Sequence, residues 1–285
     1  MTKQEFRELV QAKTLLLDGA TGSNLMKEGM HRGVCSEQWV YENPQVLQKL
    51  QREYREAGSR VVYAPTFSAN RISLANHGLE DKVDELNRGL VRISREAVGE
   101  QCYVAGDLTT TGKQDVPYEE LFEAYKEQIT VLADAGVDLL IAETMLGVDE
   151  VMAVLDAAAA VCELPVMCTL TVESDGSLFF GGNIYEAVES LEQMGADAVG
   201  INCSTGPDQL VSVVKNIRER VCIPVIVKPN AGMPVIDEKG NPVYSMGAEE
   251  FARHMKTLAE AGADIVGGCC GTTPEYIRKL AEVLK

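Results

Sequence analysis

Short, near-continuous apolar runs alternate along the chain with longer stretches whose apolar residues recur at helical spacing. The runs are "TLLLDG" from Thr14, "RVVYAPT" from Arg60, "CYVAGD" from Cys102, "DLLIAET" from Asp138, "PVMCTLT" from Pro165, "AVGINC" from Ala198, "PVIVKPN" from Pro224 and "DIVGGCC" from Asp264. A run that is apolar at nearly every position suits a strand buried on both faces, hence a parallel sheet covered by helices. Eight such units in 285 residues predict an α/β fold of the (β/α)8 TIM-barrel type, one domain over residues 1–285. A doubly wound open sheet is the rival arrangement, but it rarely uses so regular a set of eight.

A weak internal repeat supports the barrel. The segments "EAGSRVV", "DAGVDLL", "QMGADAV" and "EAGADIV" place Gly58, Gly136, Gly195 and Gly262 at helix ends just ahead of the second, fourth, sixth and eighth runs. A glycine there supplies the left-handed residue that stops a helix. The fifth and seventh runs start at Pro165 and Pro224 instead, since proline can open a strand without donating to the ladder. Counting eight residues from each repeat glycine reaches Thr66, Thr144, Cys203 and Cys270, and counting seven reaches Pro65, Glu143, Asn202 and Cys269. These positions fall at matching heights at the carboxyl end of the strands, where barrel enzymes carry their chemistry. The longest irregular stretches, Lys27 to Pro44, Thr109 to Pro117 and Asn230 to Ser245, are expected on the same face.

Bulk properties narrow the partners. A formal net charge of −17 repels nucleic acid. No stretch is long and apolar enough to span a bilayer, and "MTKQEFRELV" reads as a polar helix with no signal-peptide core, so a soluble cytoplasmic protein is expected. The eight cysteines form no regular framework, and in a reducing compartment a cluster of them points to metal binding or catalysis. Cys102, Cys162, Cys168 and Cys222 are expected simply to pack. His31, His77 and His254 lack metal-ligand spacing, with His254 expected exposed, and Trp39 is expected to pack over a helix end.

The densest chemistry lies in "VGGCCGTTPE". Adjacent cysteines rarely bond to each other, because disulfide geometry strains the peptide between them. Cys269 and Cys270 are then two buried small side chains, a redox pair, or two ligands of one soft metal. The register adds Cys203 as a third thiol. Three thiolates and one open position make a zinc site of the catalytic kind, suited to a soft incoming thiol ligand. Asp18, after the first run, sits in a glycine-containing loop whose backbone N–H groups can hold a carboxylate or phosphate. Glu143 is a second carboxylate at the barrel mouth, and with Asp18 it could bind an ammonium group. Asn202 and Asn230 are amides placed to orient a substrate, and Asn230 could touch the metal. Lys228 could form a Schiff base with a carbonyl substrate.

Taken together, "LLLDGATG", "TFSANRISLANHG", "IAETM", "GINCSTGP", "KPNAGMP" and "GGCCGTTPEYI" closely resemble the homocysteine S-methyltransferase family over nearly the whole chain. Within it, the likeness is greatest to the homocysteine-binding module of cobalamin-dependent methionine synthase. The resemblance implies a zinc barrel that transfers a methyl group to the thiol of homocysteine, forming methionine. It implies zinc ligation by Cys203, Cys269 and Cys270, amino-group recognition by Asp18 and Glu143, and carboxylate binding by the backbone around Gly19 and Ala20. Asn230 matches an asparagine that completes the zinc site when substrate is absent. No cobalamin or folate site can be argued from these residues. The methyl donor is therefore expected from outside the chain: a corrinoid protein, S-methylmethionine or S-adenosylmethionine, unless the chain is a fragment of a larger synthase. The rival readings are a homocysteine- and zinc-binding component that needs a separate corrinoid methyl-donor protein, and a Schiff-base lyase using Lys228.

Overall fold

The computed structural model describes residues 1–113, 115–237 and 242–285. Positions 114 and 238–241, inside two of the stretches expected to be irregular, lie outside the described residues. The strands are β1 (Leu15–Leu16), β2 (Val61–Ala64), β3 (Tyr103–Leu108), β4 (Leu139–Met145), β5 (Val166–Leu170), β6 (Ala198–Asn202), β7 (Val225–Lys228), β8 (Pro234–Ile236), β9 (Pro242–Tyr244) and β10 (Ile265–Val266). Eight of them form one parallel sheet in the order β1-β10-β7-β6-β5-β4-β3-β2. Each is followed by an outer helix, from Pro44–Ala57 after β1 to Pro274–Val283 after β10. This is the expected (β/α)8 barrel.

The sheet closes at the β1–β2 seam without a ladder of its own. Arg60 N–H donates to Leu16 O at 2.8 Å, the Ser59 hydroxyl donates to Leu17 O, and Tyr63 N–H donates to a side-chain oxygen of Asp18 at 2.8 Å. A carboxylate thus stands in for a backbone acceptor at the seam.

The repeat glycines do what the sequence predicts. Gly58, Gly136, Gly195 and Gly262 all have φ between 84° and 117°, and a strand begins three residues after each. The core has two main shells. Inside the barrel, Leu15, Leu17, Val61, Tyr63, Ala105, Leu139, Ile141, Met167, Ala198, Ile226 and Ile265 meet Phe6 and Val10 of the helix Lys3–Ala12. That helix is fixed by a capping box between Thr2 and Glu5. A larger shell packs the outer helices on the sheet.

The stretch after β7 differs from the expected loop. It contains the antiparallel pair β8–β9, whose Val235, Ile236 and Val243 are exposed. The stretch 27–44 contains a short helix, Ser36–Glu42, in which Trp39 packs against the cluster of Leu25, Val40 and Leu47. Cys102 and Cys168 are buried as expected, whereas Cys222 is exposed, because it sits in the turn ahead of β7 where its N–H is tied to Glu192. His254 is half-buried on its helix and not exposed.

Candidate active site

Two loops at the carboxyl end are knitted into one body. After β10, Gly267 N–H donates to Val227 O, Gly268 N–H to Asp18 O, and Cys269 N–H to Pro229 O at 2.7 Å. Thr272 Oγ1 accepts from Ala20 N–H and donates to Cys269 O at 2.8 Å. Asn24 Nδ2 and the Tyr54 hydroxyl both donate to Ala20 O. The glycines follow from this close approach. A Cβ on Gly267 would stand 2.8 Å from Asp18 O, and one on Gly268 would stand 2.5 Å from Thr272 Oγ1. These glycines admit the neighbouring backbone and Thr272. The sequence reading expected Ala20 to help bind a substrate carboxylate, but the Ala20 N–H is already spent on Thr272 Oγ1.

The expected thiol cluster forms. Cys203, at the end of β6, and the Cys269–Cys270 pair bring three sulfurs within 4.8 Å of one another. Cys203 Sγ and Cys270 Sγ are 3.5 Å apart. The sulfurs carry charge unequally. Hydrogen bonds from Cys203 and Cys269 pull the Cys270 thiol down to about 3, while bonding to Cys203 and Cys270, together with burial, pushes Cys269 well up. Tyr244, brought over by β9, covers Gly271 with its ring and helps to hold the Cys270 thiol low. Nothing in the sequence marked Tyr244, because its strand was read as loop.

A cavity of about 310 Å3 opens beside the thiols, lined among others by Asp18, Gly19, Glu37, Asp107, Glu143, Lys228 and the three cysteines. Leu25, Met30, Pro65 and Phe67 supply apolar wall. Glu143 is aimed by an irregularity in β4, where the β4–β5 register shifts between Ala142 and Met145. Asn202 fixes that turn: its Oδ1 accepts from Thr144 N–H at 2.8 Å, and its Nδ2 donates to Thr144 Oγ1 and to Glu143 Oε2. Asn202 and Asn230 do not line the cavity. Asn230 Nδ2 donates to Ser204 O, and its buried Oδ1 has no hydrogen-bond partner.

Four carboxylates and one ammonium line this cavity. Lys228 is buried, 3.4 Å from Asp18 Oδ1, with its Nζ 4.6 Å from the centre of the Tyr63 ring. Burial alone would lower its pKa, but the Glu143 and Asp18 carboxylates outweigh that and hold it well above the usual lysine value. A Schiff-base lysine needs the opposite, a free amine near neutral pH. Burial raises Asp107, Glu143 and Asp18 above the usual carboxylate range, with Lys228 pulling each back down. Asp107 and Glu37 were not singled out in the sequence. Asp107 closes the run "CYVAGD", which lacks the repeat glycine that gave the register, and Glu37 comes from the stretch read as irregular.

Fold and site together define a barrel with a cluster of three thiols, of a kind that could hold a metal ion, beside an acidic cavity. Residues 15–284 match the family described as homocysteine S-methyltransferase, and the chain belongs to that family. It is 32% identical over 298 residues to the methionine synthase of Mycobacterium leprae (strain TN), covering 96% of this chain and 24% of that one. The methionine synthase of Mycobacterium tuberculosis is also 32% identical, covered to 25% of its length. The chain thus spans about a quarter of the length of these relatives. The homocysteine methyltransferase MmuM from Escherichia coli, in its metallated form, superposes with a TM-score of 0.81 at 24% identity, over 97% of this chain and 99% of that one. That likeness shows the shared fold.

Proposed function

We propose that this chain transfers a methyl group to the thiol of homocysteine, forming methionine, with zinc held by Cys203, Cys269 and Cys270. The observation that carries the reading is the convergence of three thiols beside an acidic cavity of small-molecule size. The donor set fits zinc. Sulfur ligands select soft or borderline ions over magnesium or calcium, and tetrahedral zinc–sulfur bonds place sulfurs about 3.8 Å apart, close to the 3.5 Å between Cys203 and Cys270. The orphaned Asn230 Oδ1, next to Ala231 whose N–H donates to Cys270 O, would serve as a further donor. That the E. coli homocysteine methyltransferase has a metallated form supports a metal here as well. When bound, zinc lowers the pKa of a substrate thiol, so that a nucleophilic thiolate exists near neutral pH.

The chain's own residues do the positioning. Glu143, steadied by Asn202, offers a carboxylate to the substrate ammonium. The backbone at Gly19 takes the substrate carboxylate, and Asp18 keeps Lys228 and the barrel seam in place. The apolar wall limits water, which strengthens each charge contact and orders the reactants for in-line attack on the methyl group. The donor reaches this site from outside the barrel, either as a small sulfonium compound or on a corrinoid protein. The latter would make the chain a homocysteine- and zinc-binding component. Free thiols of this kind suit a reducing, cytoplasmic setting.

The test is zinc content and methyl transfer after anaerobic purification under reducing conditions. About one zinc per chain is expected in wild type, with loss of both metal and transfer in Cys269→Ala. Assays with S-methylmethionine, S-adenosylmethionine and methylcobalamin, run separately, identify the donor class. Zinc retained in Cys269→Ala, or a zinc-free wild type with its thiols confirmed reduced, would end this reading.

A further inference from the structure

A second cavity, of about 380 Å3, adjoins the one beside the thiols. The two share Ser36, Glu37, Phe67 and Thr144 along their boundary. Glu37 is 2% exposed. Its Oε1 accepts from Ser68 N–H at 2.8 Å, and its Oε2 accepts from the Ser36 hydroxyl at 2.9 Å and from Cys35 Sγ at 3.5 Å. All of these donors are neutral. Lys228, the ammonium lining the first cavity, lies 3.4 Å from Asp18. Among the described residues, the wall of the second cavity holds no lysine or arginine. It is rich in hydroxyls instead. Thr110 Oγ1 accepts from Gly112 N–H at 3.1 Å, and Thr144 Oγ1 accepts from Asn202 Nδ2 at 2.8 Å. Among the described residues neither hydroxyl donates elsewhere, so each keeps its O–H to give.

A carboxylate sealed from water and met only by neutral donors lacks its counter-charge. A cationic ligand supplies that charge, and the free hydroxyls suit a carboxylate at the ligand's other end. We infer that the second cavity holds the methyl donor, and that Glu37 selects a small sulfonium compound there. The inference rests on the homocysteine reading. Acceptor and donor would then meet at the boundary that Glu37 and Thr144 line. Homocysteine enters the step as the thiolate, its proton already released. The bond between the methyl carbon and the donor sulfur breaks as the bond to the homocysteine sulfur forms. The electron pair of the broken bond stays on the donor, which leaves as a neutral thioether. The positive charge that Glu37 recognised is cancelled in that step, so the spent donor is held less tightly than the fresh one. A neutral molecule of the same shape leaves Glu37 unanswered and is rejected.

The test is calorimetric binding to zinc-loaded protein of S-methylmethionine and of L-homoleucine, its carbon isostere without the positive charge on sulfur. Wild type should prefer S-methylmethionine by about 10-fold or more. Glu37→Gln keeps an acceptor for Ser68 and should bring that ratio close to one, with zinc content and far-UV circular dichroism unchanged. Glu37→Asp, which draws the charge back by one methylene, should retain part of the preference, and it is the deciding variant if the glutamine form does not fold. A wild-type ratio preserved in Glu37→Gln, or fully preserved in Glu37→Asp when the glutamine form misfolds, overturns the assignment. Excess S-methylmethionine that inhibits competitively against homocysteine also overturns it, because both would then occupy one cavity. Wild type that binds the two compounds equally, or neither, while binding homocysteine and methylating it from methylcobalamin, overturns the donor site and leaves the methyl-transfer reading standing. Wild type that holds no zinc and binds no homocysteine overturns both.

Discussion

Asn202 spends its whole side chain on two neighbours, Glu143 and Thr144. It is almost fully buried, so Asn202→Ala leaves a half-buried Thr144 N–H and one carboxylate face unanswered. A loss of about 2–3 kcal/mol is expected, read as a lower urea midpoint with an unchanged slope, together with weaker homocysteine binding. Unchanged stability would mean that the turn holds itself. The turn is strained: Thr144 has φ 57° and Cys203 φ 49°, a region that costs non-glycine residues about 1–3 kcal/mol each and clusters at functional sites. These two residues stand at matching heights, each eight positions past a repeat glycine. The thiol cluster was legible in the sequence for that reason, since the glycines fixed the register of the even-numbered runs. Asp107 was not, because its run offers no such marker, and the burial that makes a carboxyl informative is invisible in a string of letters. Asp18 was noticed, but its partner Tyr63 lies across a seam that only closure of the barrel creates.

At the scale of strands and helices, the glycines separate into two kinds that a sequence does not distinguish. Gly136 ends a helix at φ 84° with open space where a side chain would go. Gly200 lies in β6, and a Cβ there would stand 1.9 Å from Ile226 O in β7. Gly136→Ala should cost only the strain of a left-handed residue, about 1 kcal/mol. Gly200→Ala must force β6 from β7, which carry Cys203 and Lys228, and should cost about 3 kcal/mol or more along with zinc retention. Equal losses in urea denaturation would show that the β6–β7 approach is not so tight. The barrel strands themselves were legible because burial on both faces leaves near-continuous apolar runs. The β8–β9 pair was not. Its strands are three residues each and begin at Pro234 and Pro242, so the local pattern is that of a loop, and only the pairing reveals Tyr244 beside Cys270.

For the molecule as a whole, the charge of −17 and the buried carboxyls push stability in the same direction with pH. Burial, above other causes, raises Asp107, Glu143 and Asp18 over the values they have in an unfolded chain. The folded state therefore holds protons that the unfolded chain has released above about pH 4. The stability these groups contribute is complete below that ordinary carboxylate value and is lost as pH climbs through their raised folded values. Lys228 is also raised, so its contribution persists across the same range and does not offset the loss, whereas the Cys270 thiol, held low by Cys203 and Cys269, gains stability as pH rises and offsets part of it. Self-repulsion grows with pH as well, because the sequence pI is about 4.6. The metal-free protein should melt at progressively lower temperature from about pH 5.5 to 8.5. Salt separates the two causes: about 0.5 M screens the solvated surface but reaches the buried carboxyls poorly. Under that condition the remaining slope should be visibly shallower in Asp107→Asn than in wild type. Parallel slopes would assign the pH dependence to the surface alone and leave the buried carboxyls without a thermodynamic signature.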